Sequence, residues 1–211
     1  LAHLNVIMFA ENSEAAEMLK KAIGFLDQEL KTDFEKTKKN DKDYLKNNHL
    51  GYDDIQYLYA RTYFVKDFPV SKDLDEVVGY YKSQSVTYWK TQNNYMKAMM
   101  ALYLDRFGDK NTASLIMRSL KETSLHNDEM GMYWRNEQRG WNWYQAPIET
   151  QALLIEAFDE VSNDQKSVDG LKTWLLKQKQ TQDWKTTKAT SEAVYALLLR
   201  GSSLLASDKQ V

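Results

Sequence analysis

Tyr95-Met-Lys-Ala-Met-Met-Ala-Leu-Tyr-Leu104 is apolar on almost every side when wound as a helix. A helix of that kind has to be covered on every side. The type recurs in Ala152-Leu-Leu-Ile-Glu-Ala-Phe158 and in Ala193-Val-Tyr-Ala-Leu-Leu-Leu199. It recurs again over 55–65, where Ile55, Tyr57, Leu58, Tyr59, Ala60, Tyr63, Phe64 and Val65 crowd together. Residues 1–10 are largely apolar too. Periodicity alone leaves buried strands open for such runs. Their Ala and Met content, and the polar extensions that make each longer than a strand, favour helix.

Amphipathic segments lie between them. Over 14–31, Ala15, Leu19, Ala22, Leu26 and Leu30 share one face, with Asn12 and Ser13 placed to cap and Glu14 and Glu17 at the positive helix start. Over 166–180, Val168, Leu171 and Leu175 form a stripe, with Ser162 and Gln165 at capping-box spacing ahead of it. The segments 73–84, opened by Asp73, Asp75 and Glu76, and 111–124 complete the set. Apolar and amphipathic segments alternate. That order predicts two layers, an inner set of apolar helices covered by amphipathic ones, with sequence neighbours antiparallel.

The chain also repeats itself. Trp89-Lys90-Thr91 recurs as Trp184-Lys185-Thr186, and the same offset carries Lys82 onto Lys177. It also carries Ala98, Ala101, Leu102 and Leu104 onto Ala193, Ala196, Leu197 and Leu199. The apolar segments follow one another at intervals alternating between about 41 and about 54 residues, the mark of a repeat built from pairs of helical hairpins. Each repeat places an aromatic just before an inner helix: Tyr52, Trp89, Trp143 and Trp184. Such a ring serves either as a wedge sealing a junction or as a stacking platform for a ligand. The expected fold is an all-α, α/α toroid, one domain over 1–205, with its first hairpin incomplete. Residues 206–211 are read as a tail or the start of an exit strand. The chain is expected to be a fragment of a larger multidomain protein.

Composition narrows the function. The 211 residues carry 28 Lys and Arg against 30 Asp and Glu, a net charge of −2. That balance argues against a nucleic-acid partner, which needs a concentrated basic face. The run Lys36, Lys38, Lys39, Lys42 is interleaved with Glu35, Asp41 and Asp43, so its field largely cancels, and it reads as a solvated loop. Only 2 Pro and 8 Gly suit a helical chain. With no Cys, disulfides, thiolate metal sites and a cysteine nucleophile are excluded within the chain. No apolar stretch reaches the roughly 20 residues of a membrane-spanning helix, so direct membrane insertion is not expected. His3, His49 and His126 lack metal-ligand spacing, and there is no phosphate-binding glycine loop or nucleophile elbow. No metal or cofactor is expected.

The segment Trp174-Leu-Leu-Lys-Gln-Lys-Gln-Thr-Gln-Asp-Trp-Lys-Thr-Thr-Lys-Ala-Thr-Ser-Glu-Ala-Val-Tyr-Ala-Leu197 resembles the alpha-2-macroglobulin family, bacterial type. There an outer helix ends in Trp-x-x-x-Gln, and a short loop with an aromatic and a Ser/Thr-Thr-x-x-Thr pattern enters an Ala/Leu helix. Trp174 and Gln178, Trp184, Thr186, Thr187 and Thr190 stand in those places. Ile148-Glu-Thr-Gln-Ala-Leu-Leu154 resembles the preceding inner-helix start. The likeness is good over 145–200, fair over 80–145 and weak before that. It implies a thioester-type α/α toroid among β-sandwich modules of one chain, trapping proteases in the periplasm or cell envelope, and it admits a lipoprotein parent. Members of the family form a thioester from a Cys-x-Glu-Gln motif. This chain has no Cys, so either the motif lies upstream of Leu1 or this relative lacks it, absence being the favoured reading, and the resemblance implies a non-catalytic domain without a thioester in this chain. His126, in the loop Leu125–Met132, stands as a surface residue or as the assisting histidine of such a domain.

The richest polar and aromatic stretch is Tyr133-Trp-Arg-Asn-Glu-Gln-Arg-Gly-Trp-Asn-Trp-Tyr144, followed by Glu149. Aromatic rings beside paired acids also suit sugar-processing α/α barrels, where rings stack on sugars and acids move protons. Asp53, Asp54, Glu137 and Glu149 each sit near an inner-helix start and are the acids of that alternative. A packing role is the other reading, with Arg135 and Arg139 paired to Glu137 and Glu149. The candidate junction or surface residues are Trp89, Trp134, Trp141, Trp143, Tyr144, Glu149 and Trp184. A plain scaffold for another protein is the third alternative.

Overall fold

The computed structural model describes residues 13–135, 147–181, 184 and 186–199. The chain divides into two compact units, Leu1–Thr91 and Gln92–Val211, each taken by itself below. The described residues are mostly helical, with eight α-helices and two short strands.

In the first unit, α1 runs Ser13–Asn40, α2 Tyr52–Thr62 and α3 Asp75–Tyr88. Short 3-10 turns, Lys72–Leu74 and Trp89–Thr91, flank α3. The first helix ends nine residues beyond the segment its apolar stripe predicts, and Lys36, Lys38 and Lys39 lie in its last turns rather than in a loop. The cause is non-local. Lys31 Nζ reaches Asp73 at 2.9 Å and Lys38 Nζ reaches Glu76 at 2.9 Å, while Lys36 pairs with Asp33 one turn back at 2.7 Å. The stripe that α1 buries is Ile23, Leu30 and Phe34. Phe34 enters an aromatic cluster with Tyr44, Tyr80 and Tyr81, its ring centroid 4.9 Å from that of Tyr80. The Tyr80 hydroxyl donates to the Tyr44 carbonyl at 3.0 Å, which pins the 41–50 segment to α3.

A buried ion pair ties α1 to α2. Arg61 Nε donates to Asp27 Oδ1 at 3.0 Å, and the Tyr57 hydroxyl donates to the same oxygen at 2.6 Å. The other guanidinium nitrogens reach the carbonyls of Phe68 and Pro69, at 2.6 and 3.3 Å. A charge buried this deeply stays folded in only because each donor finds an acceptor.

The second unit holds α4 (Asn94–Arg106), α5 (Lys110–Glu122), β1 (Leu125–Asn127), β2 (Gly131–Tyr133), α6 (Pro147–Glu160), α7 (Gln165–Thr181) and α8 (Thr187–Leu199). Asn93 caps α4 by accepting from the Met96 N–H at 2.9 Å, and Asp109 caps α5 through Thr112 at 3.0 Å. The apolar helices α4, α6 and α8 lie side by side, with α6 between the other two. The amphipathic α5 packs on α4 and α7 packs on α6. Ala98–Leu104 of α4 and Glu149–Phe158 of α6 are buried throughout. The expected inner and outer layers are therefore present in this unit.

Two expectations are corrected. The apolar α8 is covered on one flank only. Ala189, Ala193 and Ala196 are buried, whereas Val194 and Leu198 are 42% and 60% exposed. Among the described residues its most extensive neighbour is α6. The stretch read as the loop 125–132 contains an antiparallel hairpin, pairing Leu125 with Tyr133 and Asn127 with Gly131. Met132 is fully buried and β2 packs on α7. Gly131 has φ +77, and a Cβ there would fall 2.2 Å from the Gly170 carbonyl oxygen. Only glycine fits so close to another backbone in that conformation.

Candidate functional site

Four of the seven candidate residues, Trp89, Trp134, Glu149 and Trp184, lie among the described residues, and all four are buried. Trp134 follows β2 and is buried, and its indole N–H donates to the Leu120 carbonyl at 3.1 Å and lies 3.2 Å from Thr123 Oγ1. It thereby wedges the hairpin against the end of α5. Trp89 is buried in the 3-10 turn after α3, with Lys90 Nζ 5.8 Å from its ring centroid. Trp184 is buried ahead of α8, with Lys179 Nζ 5.4 Å from its ring. A ring that is more than nine-tenths covered by its own protein has no face left for a sugar. Glu149 is buried in the first turn of α6. Trp141, Trp143 and Tyr144 lie outside the described residues, as do Glu137, Arg139 and His3.

The other acids named from the sequence part company. Asp53 is exposed. Asp54 turns back to accept the Gly51 N–H at 2.8 Å, closing the first turn of α2. Burial pushes its carboxyl up to about 6, against the pull of the Gly51 N–H and the Tyr81 hydroxyl, with Asp53 and Asp33 adding to the rise. The spacing Gly51-x-x-Asp54 was a legible sign of a helix start. His126 lies in β1, exposed, with Nε2 3.1 Å from the Ser124 hydroxyl oxygen. His49 is half-buried, 2.8 Å from Asp41.

At α7 the expected capping pair, Ser162 and Gln165, gives way to another. Asp164 accepts from the Ser167 N–H at 3.2 Å and from its hydroxyl at 2.7 Å. At α8, Thr186 Oγ1 accepts from the Ala189 N–H at 3.0 Å, a cap by a residue of the Thr-rich entry.

Sequence reading missed the charged groups that the second unit does bring together. Arg106, at the end of α4, donates through Nη2 to Glu156 at 2.7 Å. It also reaches both oxygens of Glu160, at 2.6 and 2.7 Å. Gln151 Nε2 donates to the Met132 carbonyl at 2.7 Å and lies 3.3 Å from that of Leu171, joining α6, the hairpin and α7. The available signal was a lone charge inside an apolar run, since a buried charge requires a partner. These arrangements are bidentate and hydrogen-bonded, which suits a tie between helices. A general acid needs a carboxyl with an open side for substrate. Among the described residues no group of three His, Cys, Asp or Glu could hold a metal ion. None of the described helices is long and apolar enough to cross a membrane. No family model, curated protein or solved structure matches the chain.

Proposed function

We propose that this chain is a non-catalytic, thioester-type helical domain of a bacterial alpha-2-macroglobulin-like protease trap, carrying no thioester of its own. The observation that carries the reading is the row α4–α6–α8 backed by α5 and α7, with α8 entered through the residues of the family-like motif. Trp184 is buried ahead of that helix and Thr186 caps it. The described aromatics and the best-placed acids are spent on packing, ion pairing and capping, which supports a structural module over a catalytic one.

In this reading the helices close into an α/α toroid. The parent chain adds β-sandwich domains, acts in the periplasm or cell envelope, and encloses proteases. A macromolecular substrate is then shut out from a trapped protease while a short peptide still reaches it. The test is to incubate the full-length parent with proteases of several classes. A trap leaves small-peptide hydrolysis intact and suppresses cleavage of a protein substrate. Equal loss of both activities, or of neither, overturns the reading. Glycan turnover by the 211-residue chain that Glu149→Gln abolishes would put the sugar-processing alternative in its place.

A further inference from the structure

The segment that leads from the end of α1 into α2 is held by side chains that gain and lose protons. Asp41 accepts from Asn47 Nδ2 at 2.7 Å and from the Asp43 N–H at 2.8 Å, and its Oδ2 lies 2.8 Å from His49 Nε2. The His49 N–H donates to Gln84 Oε1 of α3 at 3.0 Å. Gly51 then opens α2, and its N–H is held by Asp54 at 2.8 Å. The fit there is close, since a Cβ on Gly51 would lie 3.2 Å from Asp54 Oδ2. The groups facing Asp54 are Asp53 on its own helix, Asp33 on α1, and the Tyr81 and Tyr80 phenols on α3. Among the described residues no cation pairs with it.

We propose that residues 41–54 form a pH-sensitive clasp on α2, tighter in mild acid and looser at neutral pH and above. A proton on Asp54 removes a half-buried charge that no cation offsets and that Asp33 and Asp53 oppose. The Gly51 N–H favours the ionised form, but burial outweighs it, which leaves the carboxyl at about 6. An acid whose folded value is raised contributes its stability in full below its unfolded value and loses it as pH rises through the folded one. The window for Asp54 therefore runs from about 4 to just above 6.

The experiment is amide hydrogen exchange on the 211-residue chain at pH 5 and pH 8, corrected for the intrinsic pH dependence of exchange. Protection of the Gly51 and Ile55 amides is expected to fall about tenfold between the two, from a carboxyl raised by about two units. Asp54→Asn flattens the response, and Asp67→Asn, an exposed acid outside the clasp, keeps it. Protection that is equal or greater at pH 8 overturns the clasp, as does a flat response in Asp67→Asn or a full one in Asp54→Asn. Should Asp54→Asn fail to fold, carbon-13 titration of the Asp54 carboxyl in the unaltered chain decides. A midpoint near 6 supports the proposal, and one below 5 overturns it.

Discussion

Replacing Arg106 with Met tests whether the charged groups of the second unit are a structural tie. The guanidinium makes three short contacts, one to Glu156 and two to Glu160. The Glu156 side chain is 3% exposed and that of Glu160 is 26% exposed. Glu160 can therefore turn to water when the arginine goes, and Glu156 cannot. The expected cost is dominated by removing the cation beside the buried Glu156 carboxylate, about 3–5 kcal/mol. Met fills most of the volume left by the arginine stem, so the cavity contribution is small. The paired change Arg106→Met with Glu156→Met removes both buried charges and should return to within about 1.5 kcal/mol of the parent. Guanidinium unfolding of the 211-residue chain, followed by far-ultraviolet circular dichroism, measures both variants, with the denaturant slope expected to stay unchanged. A single variant losing under about 1 kcal/mol would refute the tie. So would a double variant whose loss equals the sum of the two single ones, because residues in contact should couple.

Gly131→Ala places a Cβ 2.2 Å from the Gly170 carbonyl and strains a left-handed residue, so it should cost more than about 2 kcal/mol and release the hairpin from α7. Gly108→Ala meets nothing within 4 Å and strains φ alone, so the same unfolding assay should show only about 1 kcal/mol. Trp134→Phe keeps most of the ring but leaves the Leu120 carbonyl without the indole N–H, at a cost of about 1–2 kcal/mol by thermal unfolding. Loss of Trp134 should leave the far-ultraviolet helix signal in place, since the ring joins elements that form independently of it.

The helices were legible where burial leaves a local signature. Ala98 to Leu104 are apolar on consecutive positions, Ala152 to Phe158 are apolar apart from Glu156, and both runs are buried throughout. Asn93 and Asp109 cap α4 and α5 with ordinary capping side chains, and the sequence reading passed over both. The length of α1 was not legible, because its last turns are held by Asp73 and Glu76, well downstream in the chain. The hairpin 125–133 was not legible either. Its strands have three residues each, too short for alternation to register, and it is held by Met132 and Gly131 against α7. Trp89, Trp134 and Trp184 are buried, but a Trp side chain offers the same surface to a wedge and to a ligand. What separates the two for Trp134 is the Leu120 carbonyl, supplied by a neighbouring helix.

By itself the sequence determined the helical class, the alternation of apolar and amphipathic segments, and the absence of any thiol chemistry in the chain. Helix formation depends on residues three and four apart, so a linear string records it. Tertiary structure alone decided which charges became ties, which acid became a cap under strain from its neighbours, and which flank of α8 stayed open. Each of those outcomes depends on the desolvation of a group and on the partner brought to it, and both are set by segments distant along the chain.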